Sequence, residues 1–485
     1  MTLRPLALVV LAACATVAPA PAPVQPAATP APPESETVAK RLAELEPHAV
    51  AVEAARDDAV WAFWLGGAPG ATDPWAGHEL LLDGEALKTI RRARELKVGE
   101  PARLDRLEAL VVGERVGRAM REVETQVANL EATVRFTFEG RDVLYRELGA
   151  ALAAEKNAQR RQAIWAASLP AVKQLDAALA RRVEARTEAL AQLGHTRESF
   201  AALLGRGDLD AARAWADRFL NSTEVRWKAR ISAQRISSRA DLPAWLKPSG
   251  QLDAAFPKAR IAERGTQVLA GLGLYGVSDL TLDLTDSPRK QPLPLTVSGV
   301  RVSFKPRGGW KDQQALLAEL GRALALRHAP DASRLTLETT AALFAALTWN
   351  RAWLEEQQVP AAVVAQAAEL GADTLLLQLR RAAGGLMRDL DRAYTLPDDP
   401  ARTRLDIEPL FAGVDTLRAS AQAFALAQAL GAKWWSSPAA AEALRAFWKT
   451  GELPESARAA ATSGDAVLAA LGATSERTAA DPPAP

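Results

Sequence analysis

The sequence predicts a mainly α-helical protein with one small β-sheet. Three observations carry this prediction. Apolar residues recur at helical spacing along most of the chain, as in Leu316, Leu317, Leu320 and Leu324. Period-two alternation is confined to two short stretches: Leu280 to Leu284, and Val300, Val302 and Phe304 set against Arg301, Ser303 and Lys305. The composition, 48% hydrophobic over 485 residues, is that of a folded chain long enough for a large core. Lys plus Arg number 59 and Asp plus Glu 58, so no basic excess points to nucleic acid. No fixed repeat period is present, which excludes a solenoid.

The first residues read as a targeting segment. Met1 to Arg4 give a short positive region, and Leu6 to Ala13 a short apolar one, too brief to span a bilayer. Leu11-Ala12-Ala13-Cys14 has the form of a bacterial lipobox, and Cys14 is the only cysteine of the chain. Residues 1–13 are therefore expected to be a lipoprotein signal peptide. Cys14 is expected to carry the acyl chains (palmitate among them) that form a membrane anchor. The alternative is a plain signal peptide cut near the Ala-Pro run. Ala15 follows the cysteine where an inner-membrane lipoprotein often has aspartate. The expected location is the cell envelope, at the outer membrane facing the periplasm if the cell has two membranes. Residues 14–36, almost all Ala, Pro, Val and Thr, are expected to be an extended tether. Residues 37–473 are expected to form the helical domain, and 474–485 a disordered tail.

Within the domain the spacing predicts helices in succession. The first covers Val38 to Arg56. Trp61, Phe63, Trp64 and Trp75 then fall in a segment broken by Gly and Pro, expected to pack on the body as a cap. Glu79 to Leu96 and Pro101 to about Val134 follow, with Pro101 suited to a first helical turn. Arg141 to Gly194 reads as a long charged amphipathic run. A short helix from Glu198 and a longer one opened by Asp208 come next. Asp253 to Leu274 is helical, entered near Phe256-Pro257. The two alternating stretches form the only sheet expected. After it come helices near Lys311 to Arg327, Glu338 to Gln357, Pro360 to Leu370, Thr374 to Tyr394, Ile407 to Leu430 and Ala439 to Trp448. The 13 tryptophans are scattered and read as core anchors.

The stretch from Gly299 to Leu347 carries the chemistry. A strand leads to Gly308-Gly309, then to a helix with Ala318-Glu319-Leu320-Gly321-Arg322, then to a second helix with Glu338. This order resembles the zinc-binding core of the thimet oligopeptidase and oligoendopeptidase family of metallopeptidases. There the first helix carries H-E-x-G-H and the second supplies a glutamate as third zinc ligand. Further resemblances lie in Arg182 to Gly194, in Ser287-Pro288-Arg289-Lys290, and in Trp434-Trp435-Ser436-Ser437-Pro438 followed by Trp448 and Gly451. Together they cover roughly Arg141 to Gly472. The resemblance implies a two-lobed helical body around a central, peptide-sized cleft.

It also implies a site that has lost its ligands. H-E-x-x-H aims two imidazoles at one point from one helix face. A catalytic zinc needs three protein ligands and an open position for water, with the intervening glutamate as general base. Here the two histidine positions are Ala318, which has no lone pair, and Arg322, which has no acceptor nitrogen and cannot be deprotonated. The glutamates Glu319 and Glu338 remain. Thr416 stands before Leu417-Arg418-Ala419 where the family commonly has a tyrosine that stabilises the tetrahedral intermediate. The four histidines, His48, His78, His195 and His328, make no i, i+4 pair. His328 is expected to end a helix, where a cation suits the dipole. No nucleophile elbow or phosphate-binding loop is present.

The expectation is a lipid-anchored envelope pseudopeptidase that binds a peptide or protein partner without zinc or any other cofactor. Arg322 is expected to bridge to Glu338 and to Glu319 in the place of the metal. The alternatives are a hydrolase with a displaced or non-zinc site using Glu319 as general base, and a purely structural helical lipoprotein.

Overall fold

The computed structural model describes residues 33–68, 73–274, 280–291, 293–297, 299–391 and 409–472. Cys14, most of the expected tether, and the expected tail lie outside them.

Helix α1 spans Glu34–Trp64. It starts inside the expected tether because Pro33 is pre-set to precede a helix and Glu34 and Glu36 favour its positive end. It runs through Pro47 and stops before Gly66, whose φ of 101° only glycine adopts freely. Trp61 and Trp64 therefore end a helix, where a broken segment was expected. The Trp64 indole still docks on the body, donating to Leu293 O at 2.7 Å. Helices α2 (Gly84–Glu95) and α3 (Pro101–Thr133) bury Leu87, Ile90, Val111 and Val112 against Leu45 and Val52 of α1.

A second sheet corrects the expectation of one. Strands β1 (Arg135–Phe138) and β2 (Arg141–Leu144) pair antiparallel through a Glu139-Gly140 turn. Both turn residues have positive φ, 50° and 73°, as a two-residue hairpin of matching twist requires. Phe136 is buried against Leu148, Leu152 and Ile164. The supposed helical run from Arg141 thus begins as a strand, followed by α4 (Leu148–Ala154) and α5 (Ala158–Gln192). Short helix α6 (Arg197–Ala201), long helix α7 (Leu209–Ala233) and the short α8 (Leu242–Trp245) and α9 (Gly250–Ala254) lead to α10 (Lys258–Gly271).

The expected sheet is three-stranded. Its strands β3 (Thr281–Asp283), β4 (Leu295–Val297) and β5 (Arg301–Ser303) lie in the order β3-β5-β4, with β3 parallel and β4 antiparallel to β5. Lys290 pins it from within: buried, it donates to Asp283 O and Phe304 O and pairs with the Asp283 carboxylate at 3.0 Å. At the double glycine the chain passes so close to Asp253 that a Cβ on Gly309 would lie 2.8 Å from its carboxylate. That carboxylate accepts from Trp310 N and so caps α11 (Trp310–His328).

Helix α11 buries Leu316, Leu317, Leu320 and Leu324, each contributing about 1.5–3 kcal/mol. Helix α12 (Arg334–Ala345) turns back along it. α13 (Arg351–Glu356) follows, then α14 (Ala361–Leu390), a single helix where two were expected around Gly371. Gly371 breaks nothing. A Cβ there would lie 2.3 Å from Trp349 Cγ, so the glycine serves close packing. Helix α15 (Gly413–Leu430) packs on α12 and α14. α16 (Pro438–Thr450), α17 (Glu455–Ser463) and α18 (Asp465–Ala470) complete the described chain. Trp227, Trp310, Trp353 and Trp448 are fully buried, as core anchors should be. Among the described residues no helix is long and apolar enough to cross a membrane.

Candidate functional site

Helix α11 places Ala318 and Arg322 one turn apart on one face, with Glu319 beside them. The approach of α12 is set by Gly321, where a Cβ would lie 2.8 Å from Thr340 O. This contact brings Glu338 within reach. Arg322 Nη2 donates to Glu338 Oε2 at 2.8 Å, and Arg322 Nη1 donates to Glu319 Oε1. Glu319, only 8% exposed, also accepts from the Thr296 hydroxyl of β4 at 2.6 Å. The Arg322 and Glu338 side chains are 27% and 34% exposed. Burial opposes the Arg322 charge most strongly. The attraction of Glu319 and the contacts with Glu338 outweigh it and hold its pKa above the ordinary arginine value.

These residues border an open-sided cavity of about 440 Å³ between α11, α12, α14 and α15. Ala318, Arg322, Glu338 and Thr416 line it, and Glu319 does not. Its other carboxylate is Asp415, which accepts from Arg206 Nε at 2.9 Å and Nη2 at 2.7 Å and pairs with Arg334 Nε at 3.1 Å. Trp349 and Phe424, with ring centroids 5.6 Å apart, form an apolar part of the wall.

The donor set does not fit the zinc that the resemblance implies. Ala318 offers no ligand atom, and Arg322 brings a fixed cation between the two carboxylates. Among the described residues no group of three or more His, Cys, Asp or Glu side chains is placed to hold a metal ion. No zinc-dependent step can be drawn through these residues.

In sequence, no family model and no curated protein matches the chain. In structure it is similar to a protein described as oligoendopeptidase F from Bacillus anthracis, with a TM-score of 0.56 at 14% identity. That match covers 86% of this chain and 88% of the other. It is similar to PZ peptidase A, with a TM-score of 0.56 at 12% identity, over 89% of this chain and 96% of that one. The fold is that of the oligoendopeptidases. At these identities the likeness is one of fold.

On this oligoendopeptidase fold the other expected residues take ordinary positions. His328 ends α11 as expected. Its ring stacks on Trp448 at 5.2 Å, and burial, with Arg445 and Arg327 nearby, pushes its pKa down. His48 and His78 meet, Nδ1 to Nδ1 at 2.9 Å, a contact across 30 residues that no local spacing signals. His195 joins Arg91 and Arg94 around the buried Glu108. Sequence reasoning also missed Thr296, Arg206, Arg334 and Asp415. Arg206 and Asp415 are 209 residues apart, and nothing local marks them as partners.

Proposed function

We propose that the chain is a pseudopeptidase: a peptide-binding protein on the oligoendopeptidase fold, without metal-dependent hydrolysis. One observation carries the reading. The Arg322 guanidinium sits between Glu319 and Glu338, joined to both. A planar fork satisfies the buried Glu319 and the part-exposed Glu338 together, a role a lysine fills poorly. The hydrolase alternative needs Glu319 free as a base. Its carboxylate is instead bound to Thr296 and Arg322 and does not line the cavity. The cavity itself has the size of a small-ligand or short-peptide site. We extend the proposal to location: Cys14 is acylated and tethers the domain to the cell envelope, where its partner is a peptide or protein.

A mixed peptide library incubated with the purified domain tests the reading. Bound peptides recovered intact are the expected result. Cleaved peptides reject it in favour of a hydrolase, and no bound peptide in favour of a structural lipoprotein. For location, Cys14→Ser should release the protein from membranes and from the detergent phase, since stable anchoring takes more than one lipid signal. Unchanged partition rejects the anchor.

A further inference from the structure

The charges of the central cavity are unbalanced. Its two lining carboxylates, Glu338 and Asp415, are both consumed by arginines. Three cations line the same space: Lys311, Arg322 and Arg334. With Glu319 and Arg206 behind the wall, four cations face three carboxylates. Two of the cations are underused. Arg334 is 60% exposed and meets Asp415 through Nε. Among the described residues its two terminal nitrogens donate to nothing. Lys311 is exposed at the cavity and has no carboxylate partner among the described residues.

Lys311 and Arg334 mark two ends of one wall. Trp310, beside Lys311, donates its indole N–H to Thr348 O just beyond α12, and Arg322 meets Glu338 near the start of α12. The two helices are therefore antiparallel. At 1.5 Å per residue the two cations stand roughly 20 Å apart. An extended peptide of about seven residues spans that length and presents its first and last side chains on the same face. Between them the wall is Ala315, Ala318, Ala341, Ala342 and Ala345, small enough to leave room for a backbone.

We propose that the cavity takes an acidic peptide in extended form, with one carboxylate on the open fork of Arg334 and another at Lys311. This rests on the peptide-binding reading above and adds the class of peptide. The terminal nitrogens of Arg334 suit a carboxylate bound end-on through two hydrogen bonds. Lys311 supplies a point charge that a flexible stem can adjust.

The test is binding of the heptapeptide Glu-Ala-Ala-Ala-Ala-Ala-Glu, acetylated and amidated, whose two end side chains share one face of an extended chain, against its Gln-ended and Lys-ended analogues. Titration calorimetry on the intact domain reads the affinities. The Glu-ended peptide should bind about tenfold tighter than the Gln-ended one at low salt, with the gain shrinking as ionic strength rises. An unblocked Gln-ended peptide that matches it assigns the group at Arg334 to a chain terminus, and the charge reading stands from either source. Lys311→Glu should lower affinity for the Glu-ended peptide and raise it for the Lys-ended one, a reversal that unfolding cannot mimic. Arg334→Gln should remove the bidentate share of the gain. Equal affinity for Glu- and Gln-ended peptides overturns this inference and leaves peptide binding intact. No binding by any of them overturns both.

Discussion

Two clusters of arginine and glutamate lie in different parts of the molecule and are built in opposite ways. In the N-terminal half one carboxylate is held by two arginines and a histidine: Glu108 of α3, 1% exposed, accepts from Arg91 Nε at 2.9 Å and Arg94 Nη1 at 2.6 Å and meets His195 Nε2 at 3.2 Å. In the C-terminal half one cation is held by two carboxylates, Arg322 between Glu319 and Glu338. The first is a clamp. Arg91 reaches on to Leu193 O, so Glu108 ties α2 and α3 to the end of α5. The second ties neighbouring helices that already pack through Gly321, with a hydroxyl of the adjacent β4, and it lies on the wall of a cavity. A buried carboxylate surrounded by cations is explained by stability. A cation between two carboxylates that line or back a cavity calls for another account, and the proposed loss of a zinc site offers one.

The comparison can be broken by substitution. Glu108→Ala should cost most, about 3–4 kcal/mol in denaturant unfolding, because Arg91 and Arg94 lose their common partner. The acid limb sharpens this. Burial alone would raise the Glu108 pKa, but hydrogen bonds from His195, Arg91 and Arg94 outweigh it and bring it to about 2, from 4.5. The unfolded chain therefore binds this proton more readily. The contribution is full above about pH 4.5 and is lost as pH falls towards 2. Acid unfolding should be less steep in Glu108→Ala, and an identical pH profile would show that Glu108 is no clamp.

Arg322→Ala should cost less, about 2 kcal/mol, since Glu319 keeps Thr296 and Glu338 can turn to solvent. Glu338→Ala should cost about 1 kcal/mol, and the double variant should fall short of the sum by a measurable coupling. Zero coupling would mean that the two side chains do not interact in solution. Gly321→Ala should cost a similar amount, at least about 1 kcal/mol, from overpacking against the Thr340 carbonyl and the Phe344 ring. It should lower the Arg322–Glu338 coupling by moving α12 away. An unchanged coupling would separate helix spacing from the ion pair.

The sequence was informative where local pattern decides structure. The leucines of α11, the double glycine and the alternation before it placed the strand, the turn and α11, and so put Ala318, Glu319 and Arg322 on one helix; the helix expected over Glu338 to Gln357 is instead α12 and α13, parted at Asn350. It misled where a pattern was short or its cause was tertiary. The hairpin at Arg135–Leu144 carries a clear Glu-Gly turn, yet its four-residue strands were absorbed into a longer charged run. Gly371 reads as a helix break until Trp349 is seen lying on it. His328 ends its helix as expected, but nothing local signals that its ring stacks on Trp448. Asp415, Arg206 and Arg334 had no signal at all, because their contacts join segments far apart in the chain.

The most direct test of the account is the zinc content of the purified domain, measured beside that of the double variant Ala318→His, Arg322→His. Two imidazoles one turn apart, with Glu338 facing them, restore a three-ligand set. The account predicts no stoichiometric zinc in the natural chain and about one zinc per chain in the variant, whose melting temperature should rise with added metal. One zinc per natural chain, or peptide hydrolysis by it that a chelator abolishes, would contradict the account.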